Sequence, residues 1–177
     1  TIKRNQAVLF AATLGVVGFL LLYFYASPMA MYVAICGHLY YVVFYTIILK
    51  PLTPQNIVIG GAGGAIGPLI GWSAVSGDLP LGAWLLFLII FIWTPPHFWS
   101  LALHYKKDYE KANIPMYPVV YGDRETKKMM FIYTLLLIPL IVLCYLLELG
   151  GLLFLSISLC LSIQFAVKAF NLLKSKD

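Results

Sequence analysis

The sequence predicts an all-α fold, a polytopic bundle of transmembrane helices, and three observations predict it. The chain is 62% hydrophobic and only 11% charged, where soluble domains carry about a quarter charged residues. Six apolar runs, at 7–26, 30–49, 56–76, 82–103, 129–147 and 150–173, are long enough to cross a bilayer, which takes about 20 residues each. None alternates with the period of two of a membrane barrel. A spanning backbone must satisfy its own hydrogen bonds, so helices are the expected form. The third observation is charge: six spans place all twelve Lys and Arg residues on one face. Residues 1–177 read as a single transmembrane domain with one long loop, 104–128.

The first span follows Lys3 and Arg4 and is full length without a small-residue cleavage site, so it is not a signal peptide. The second, rich in tyrosine, ends at Lys50. His38 lies within it, and its expected role is structural, hydrogen-bonding tyrosines on other helices. The third opens on Thr53, Gln55 and Asn56 and then crowds Gly60, Gly61, Gly63, Gly64, Gly67 and Gly71 into one run. Small residues at three- and four-residue spacing let helices approach closely in lipid. The alternative is that they make room for a wide ligand. Asn56 is either a helix cap or a ligand contact.

The fourth span ends in Trp93-Thr94-Pro95-Pro96-His97. A proline pair frees backbone carbonyls and bends a membrane helix, and such breaks are tolerated where the backbone lines a cavity. His97 follows that break. An ionisable group inside the membrane is a functional candidate by default, and the competing role is a buried, hydrogen-bonded packing group. If the helix continues, His97, His104 and Asp108 recur at seven- and four-residue intervals on one face. His104 lies at the interface, where a histidine is inexpensive.

The loop 104–128 gathers Lys106, Lys107, Lys111, Arg124, Lys127 and Lys128 beside Asp108, Glu110, Asp123 and Glu125. A carboxylate such as Asp108 at a pocket mouth can hold Mg²⁺, which shares oxygen ligands with substrate phosphates. Neighbouring lysines would attract a diphosphate. Asp123-Arg124-Glu125 reads as a helix-start cluster. The fifth and sixth spans follow, and Lys168, Lys174 and Lys176 end the chain as headgroup anchors.

The net charge of +5 therefore reports orientation rather than nucleic-acid binding. By the positive-inside rule the crowded face is cytoplasmic, and the opposite turns hold only Asp78 and Glu148. Cys36, Cys144 and Cys160 lie within spans without metal-ligand spacing and read as small packing residues.

Four blocks in order, TPQNIVIGG at 53–61, PLIGW at 68–72, WTPPHFWSLAL at 93–103, and KDY with ANIPM and PVV over 107–120, resemble the haem O synthase (protohaem IX farnesyltransferase) branch of the UbiA-type intramembrane prenyltransferases. The resemblance implies about nine spans of about 20 residues, of which this chain holds the third to the eighth, as an internal fragment. It implies transfer of a farnesyl group from farnesyl diphosphate to a vinyl group of haem B. It also implies Mg²⁺ on a first acidic motif upstream of Thr1, with Asp108 as the matching carboxylate of the second half-site. Lys107 stands beside that carboxylate, His97 matches the family histidine, and His104, Asn56, Lys50, Lys106 and Tyr109 are expected to bind substrate. Partners implied are haem B, farnesyl diphosphate, membrane lipid and the downstream haem A synthase, in a bacterial inner membrane. Two rivals stand beside it: a UbiA-type enzyme acting on a small aromatic acceptor such as a quinone precursor, and a transporter built on the Gly-rich and Pro-broken spans.

Overall fold

Long apolar helices run back and forth, and each reversal is fixed by local chemistry. The computed structural model of the chain describes residues 3–175. The first helix, α1 (Arg4–Tyr25), turns into α2 (Pro28–Leu39) through Ser27, whose Oγ accepts a hydrogen bond from the Ala30 N–H at 3.0 Å. Pro28 takes the first helical position, where a missing N–H costs nothing. The same helix continues as a π-helix over Tyr40–Leu49 and a closing turn, α3 (Lys50–Leu52).

The glycine-rich span is two helices, α4 (Asn56–Gly64) and α5 (Gly67–Ser76), with Pro68 in the first turn of the second. Gly77 ends α5 in the left-handed conformation (φ 76°), which a residue with a Cβ rarely adopts. The fourth span is α6 (Leu81–His104). A short helix, α7 (Lys106–Lys111), leads into α8 (Tyr117–Leu146), and α9 (Leu152–Lys174) follows. No strand occurs among the described residues. Six helical stretches are long and apolar enough to cross a membrane, so this is an integral membrane protein.

Three expectations need correction. The proline pair does not break α6: Pro95 and Pro96 are both fully buried and the helix runs on to His104. The segment 104–128 is not a loop, because α7 and the first part of α8 occupy most of it. Gly122 (φ 80°, ψ 169°) interrupts α8, in a backbone region open essentially to glycine alone. Asp123-Arg124-Glu125 therefore starts the segment beyond that kink, as a helix-start cluster would. Lastly, the His38 ring meets Phe19 edge-on at 6.0 Å and hydrogen-bonds no tyrosine. The span limits move by a few residues, most at the start of α8, because helix continues through polar ends that hydropathy excludes.

Packing is uneven. α8 lies between α6 and α9, and α4 packs on α6. Trp99 and Ala102 of α6, Met116 between α7 and α8, and Tyr117 and Met130 of α8 form one cluster with Ile57. The first helix, by contrast, buries no residue and touches chiefly α2. A helix apolar all round is one that lipid or further protein surrounds.

Candidate functional site

The lysine-rich end of the bundle is organised by α7. Tyr105 (φ −98°, ψ 22°) terminates α6, and α7 begins at the next residue. His97 and His104 thus share one face of α6, but Asp108 belongs to a separate helix and no single periodicity relates the three. Lys106 is held by Asp123 of α8, Nζ to Oδ1 at 2.7 Å, which ties α7 across the Gly122 kink. Asp108 is open, with its side chain 69% exposed and only Lys111 near it, at 3.9 Å. Lys107 is exposed and makes no ion pair among the described residues. Tyr109 faces inward, packed against the Ile57–Trp99 cluster.

A groove of about 300 Å³ opens between the π-helical segment, α4 and α6. Tyr41, Tyr45, Trp93 and Phe98 wall it, and Gly60, Gly61 and Gly64 form one side. The glycines divide into two groups. A Cβ on Gly60 would overlap the Tyr45 ring, on Gly61 it would meet Thr94 Cγ2 at 3.0 Å, and on Gly63 it would meet Tyr41 at 3.2 Å. Gly64, Gly67 and Gly71 face open space. Close packing therefore accounts for Gly60, Gly61 and Gly63. The π-helix brings Tyr40 and Tyr41 against this surface as well. The Tyr40 hydroxyl donates to the Ile59 carbonyl at 2.7 Å, and Tyr41 lies 5.1 Å from Tyr45, centroid to centroid. Tyr109 of α7 packs on the cluster that includes Ile57, so the Ile57 end of the groove lies toward α7.

His97 is exposed rather than buried. Its ring stacks on Trp93 at 4.2 Å with 19° between planes, and its nitrogens make no hydrogen bond among the described residues. His104 is likewise exposed and meets Tyr105 edge-on. Asn56 is fully buried: its Nδ2 donates weakly to the Lys50 carbonyl at 3.4 Å and its Oδ1 has no partner. Lys50 is half-buried at the same turn. Trp99, also fully buried, leaves its indole N–H unpaired. Asn56 and Trp99 each lie five residues from the Gly61–Thr94 contact of this antiparallel helix pair, so they stand at one level. Buried groups of this kind are normally satisfied by water or ligand.

Tyr41, Tyr45, Trp93 and Trp99 were not singled out by sequence. Their available signal was the i, i+4 spacing of Tyr41 and Tyr45, one helix before a glycine run. Among the described residues no three His, Cys, Asp or Glu side chains gather as a metal cluster. Asp108 supplies an exposed carboxylate on α7. It fits as one ligand of a Mg²⁺ ion carried by a diphosphate, which needs only one or two carboxylates, and not as a complete protein cage.

The site thus combines an apolar, aromatic-walled groove with a lysine-rich helix at one end of the bundle. The chain belongs to the UbiA prenyltransferase family, whose model matches residues 1–177. It is 52% identical over 172 residues to a protoheme IX farnesyltransferase of Gloeobacter violaceus, covering 97% of this chain and 56% of that relative. It is 44% identical over 171 residues to the protein of that name from Burkholderia ambifaria, covering 97% and 57%. To that from Albidiferax ferrireducens it is 46% identical over 167 residues, covering 94% and 56%. The chain thus spans little more than half the length of these relatives. No solved structure matches it.

Proposed function

We propose that the protein carrying this chain transfers a farnesyl group from farnesyl diphosphate to a vinyl group of haem B, making haem O. The observation that carries this reading is the apolar groove whose Ile57 end belongs to the cluster on which Tyr109 of α7 packs, with Lys107 and Asp108 of that helix exposed. The likeness to relatives named for that reaction selects the acceptor. The allylic C–O bond breaks and diphosphate leaves with the bonding pair. The haem vinyl terminus then forms the new C–C bond, and water adds to the resulting cation with loss of a proton, giving the hydroxyethylfarnesyl group.

Lys107 attracts and neutralises the diphosphate, with Lys50 as a second cation. Asp108 would hold a diphosphate-bound Mg²⁺, which would disperse charge on the leaving group. Lys106 acts indirectly, fixing α7 through Asp123, and Tyr109 closes the groove mouth. The apolar walls keep bulk water from quenching the cation. His97, its ring steadied by Trp93 and its nitrogens open, meets the porphyrin iron or a propionate, with His104 toward the surface. Asn56 offers its buried Oδ1 to a polar substrate atom. The membrane is the bacterial inner membrane, with α7 cytoplasmic, and haem A synthase takes the product.

The test is expression of the full-length gene and mass spectrometry of membrane haems. Haem O is expected. Asp108→Asn should lower it about 100-fold or more, the usual loss when one preorganised charge-stabilising group is removed, at unchanged abundance. A prenylated quinone precursor in place of haem O would transfer the reading to the other acceptor, and full activity of Asp108→Asn would remove the diphosphate from α7.

A further inference from the structure

Gly64 is the last residue of α4, where the helix breaks before α5. It lines the groove, it is exposed, and a Cβ built on it meets nothing within 4 Å. Gly60 and Gly61 line the same groove, but side chains there would strike Tyr45 and Thr94. Close packing therefore accounts for those two and leaves Gly64 unexplained.

Depth along the groove follows from register. The Gly61–Thr94 contact joins antiparallel helices, so Ile57 stands level with Phe98, and Gly64 about level with Ile90. Ile57, in the cluster on which Tyr109 of α7 packs, marks the end toward α7, and Gly64, Ile90 and Tyr41 the inner end. Seven residues separate Ile57 from Gly64, about 10 Å of helix at 1.5 Å per residue. No charged side chain lines this length. The Thr94 hydroxyl is already spent on the Ile90 carbonyl, at 2.7 Å. An occupant with propionates or a metal would find no charged partner in it, only the tyrosine and tryptophan side chains of its walls. A branched hydrocarbon chain whose anionic head stays at Lys107 and Asp108 matches this lining, and its double bonds would lie against aromatic faces.

We propose that Gly64 is the end-stop of the groove, the residue that sets how long an isoprenoid chain the site accepts. The inference rests on the reading that α7 holds a prenyl diphosphate head. A side chain at position 64 projects into the space that the distal isoprene unit fills, shortening the groove without disturbing its walls.

The experiment measures binding of farnesyl and geranyl diphosphate to the full-length protein in lipid nanodiscs, for wild type, Gly64→Leu and Gly71→Leu. Gly71 also faces open space but lies outside the groove, so it controls for the added bulk. Gly64→Leu should shift the farnesyl-to-geranyl affinity ratio about tenfold or more toward geranyl, since even one methylene in an apolar pocket discriminates about 10–200-fold. Gly71→Leu should leave the ratio at the wild-type value. An unchanged ratio in Gly64→Leu, or equal loss of both ligands, overturns the end-stop. Loss of folded protein in Gly64→Leu but not in Gly71→Leu also overturns it, because the space would then be filled by protein. Wild type that binds neither diphosphate sinks the reading of α7 itself, and the end-stop with it.

Discussion

The two sides of α6 are built on opposite plans. Toward α8, bulky rings fill the space: Trp99 packs on Tyr117 at 4.7 Å and on Tyr133 at 5.6 Å, with Met116 and Met130 closing the cluster. Toward α4, Gly61 brings the helices into contact at Thr94, and beside that contact the groove stays open. Lipid is as apolar as a leucine side chain, so helices in a membrane associate through close packing more than through exclusion of water. The α8 side supplies that packing with large side chains and the α4 side with small ones. A single helix thus anchors to a rigid neighbour on one flank and leaves room for a substrate on the other. Substitutions on the two flanks should separate cleanly, those on the α8 flank changing abundance and those on the groove flank changing chemistry.

Trp99→Ala should give the largest effect, on the filled side. It removes a fully buried ring and opens a void at the centre of the cluster, a change that costs about 3–5 kcal/mol in cores. Thermal unfolding of the full-length protein in detergent should show a large drop in midpoint, with low recovery from membranes. A variant of near-normal stability would mean that the α6–α8 contact is less tightly packed than its burial implies.

His97→Ala should show the reverse behaviour. The imidazole is exposed and its only close partners are the rings of Trp93 and Phe98. Its loss leaves no buried polar group unpaired, so recovery should match wild type. Haem O formation should fall about 100-fold, as for the loss of one group that acts on the substrate. Parallel losses of recovery and product would instead make His97 a packing residue and erase the contrast between the two sides.

How much of this was legible in the sequence follows the same division. Spans, span count and the lysine-rich end followed from hydropathy and charge, because a bilayer imposes both directly. The helical continuation through Pro95 and Pro96 did not, because burial of both rings against neighbouring helices overrides their local tendency to bend the chain. Reading 104–128 as a loop failed for a related reason. Its charges conceal α7 and the start of α8, which are held by tertiary contacts such as Lys106–Asp123 rather than by apolar periodicity. Asp108, Lys107 and His97 were nameable from their block and their chemistry. Tyr41 and Tyr45 were not, and Gly64 was named only as one of a run, since their meaning lies in the register of the π-helical segment against α4. Hydrophobic patterning carries no information about that register.

The smallest effect tests whether α7 serves both sides of α6 or the groove alone. Its Tyr109 is seated in the filled cluster and its Lys106 is bound to Asp123, so both hold α7 in place. Lys107 does neither: it is exposed, without an ion-pair partner among the described residues. Removing its charge costs the fold nothing and weakens attraction for a diphosphate in a solvent-screened position, where one ion pair is worth about 1 kcal/mol or less. Lys107→Ala should therefore raise the apparent KM for farnesyl diphosphate about five-fold or less, at unchanged kcat, which is the signature of lost uniform binding. The wild-type advantage should shrink as salt rises, because exposed charges are screened over about 8 Å at physiological ionic strength. A fall in kcat at constant KM would place Lys107 against the departing diphosphate in the transition state, deeper in the site than its exposure indicates. A loss of folded protein would assign it, with Lys106 and Tyr109, to the anchoring of α7.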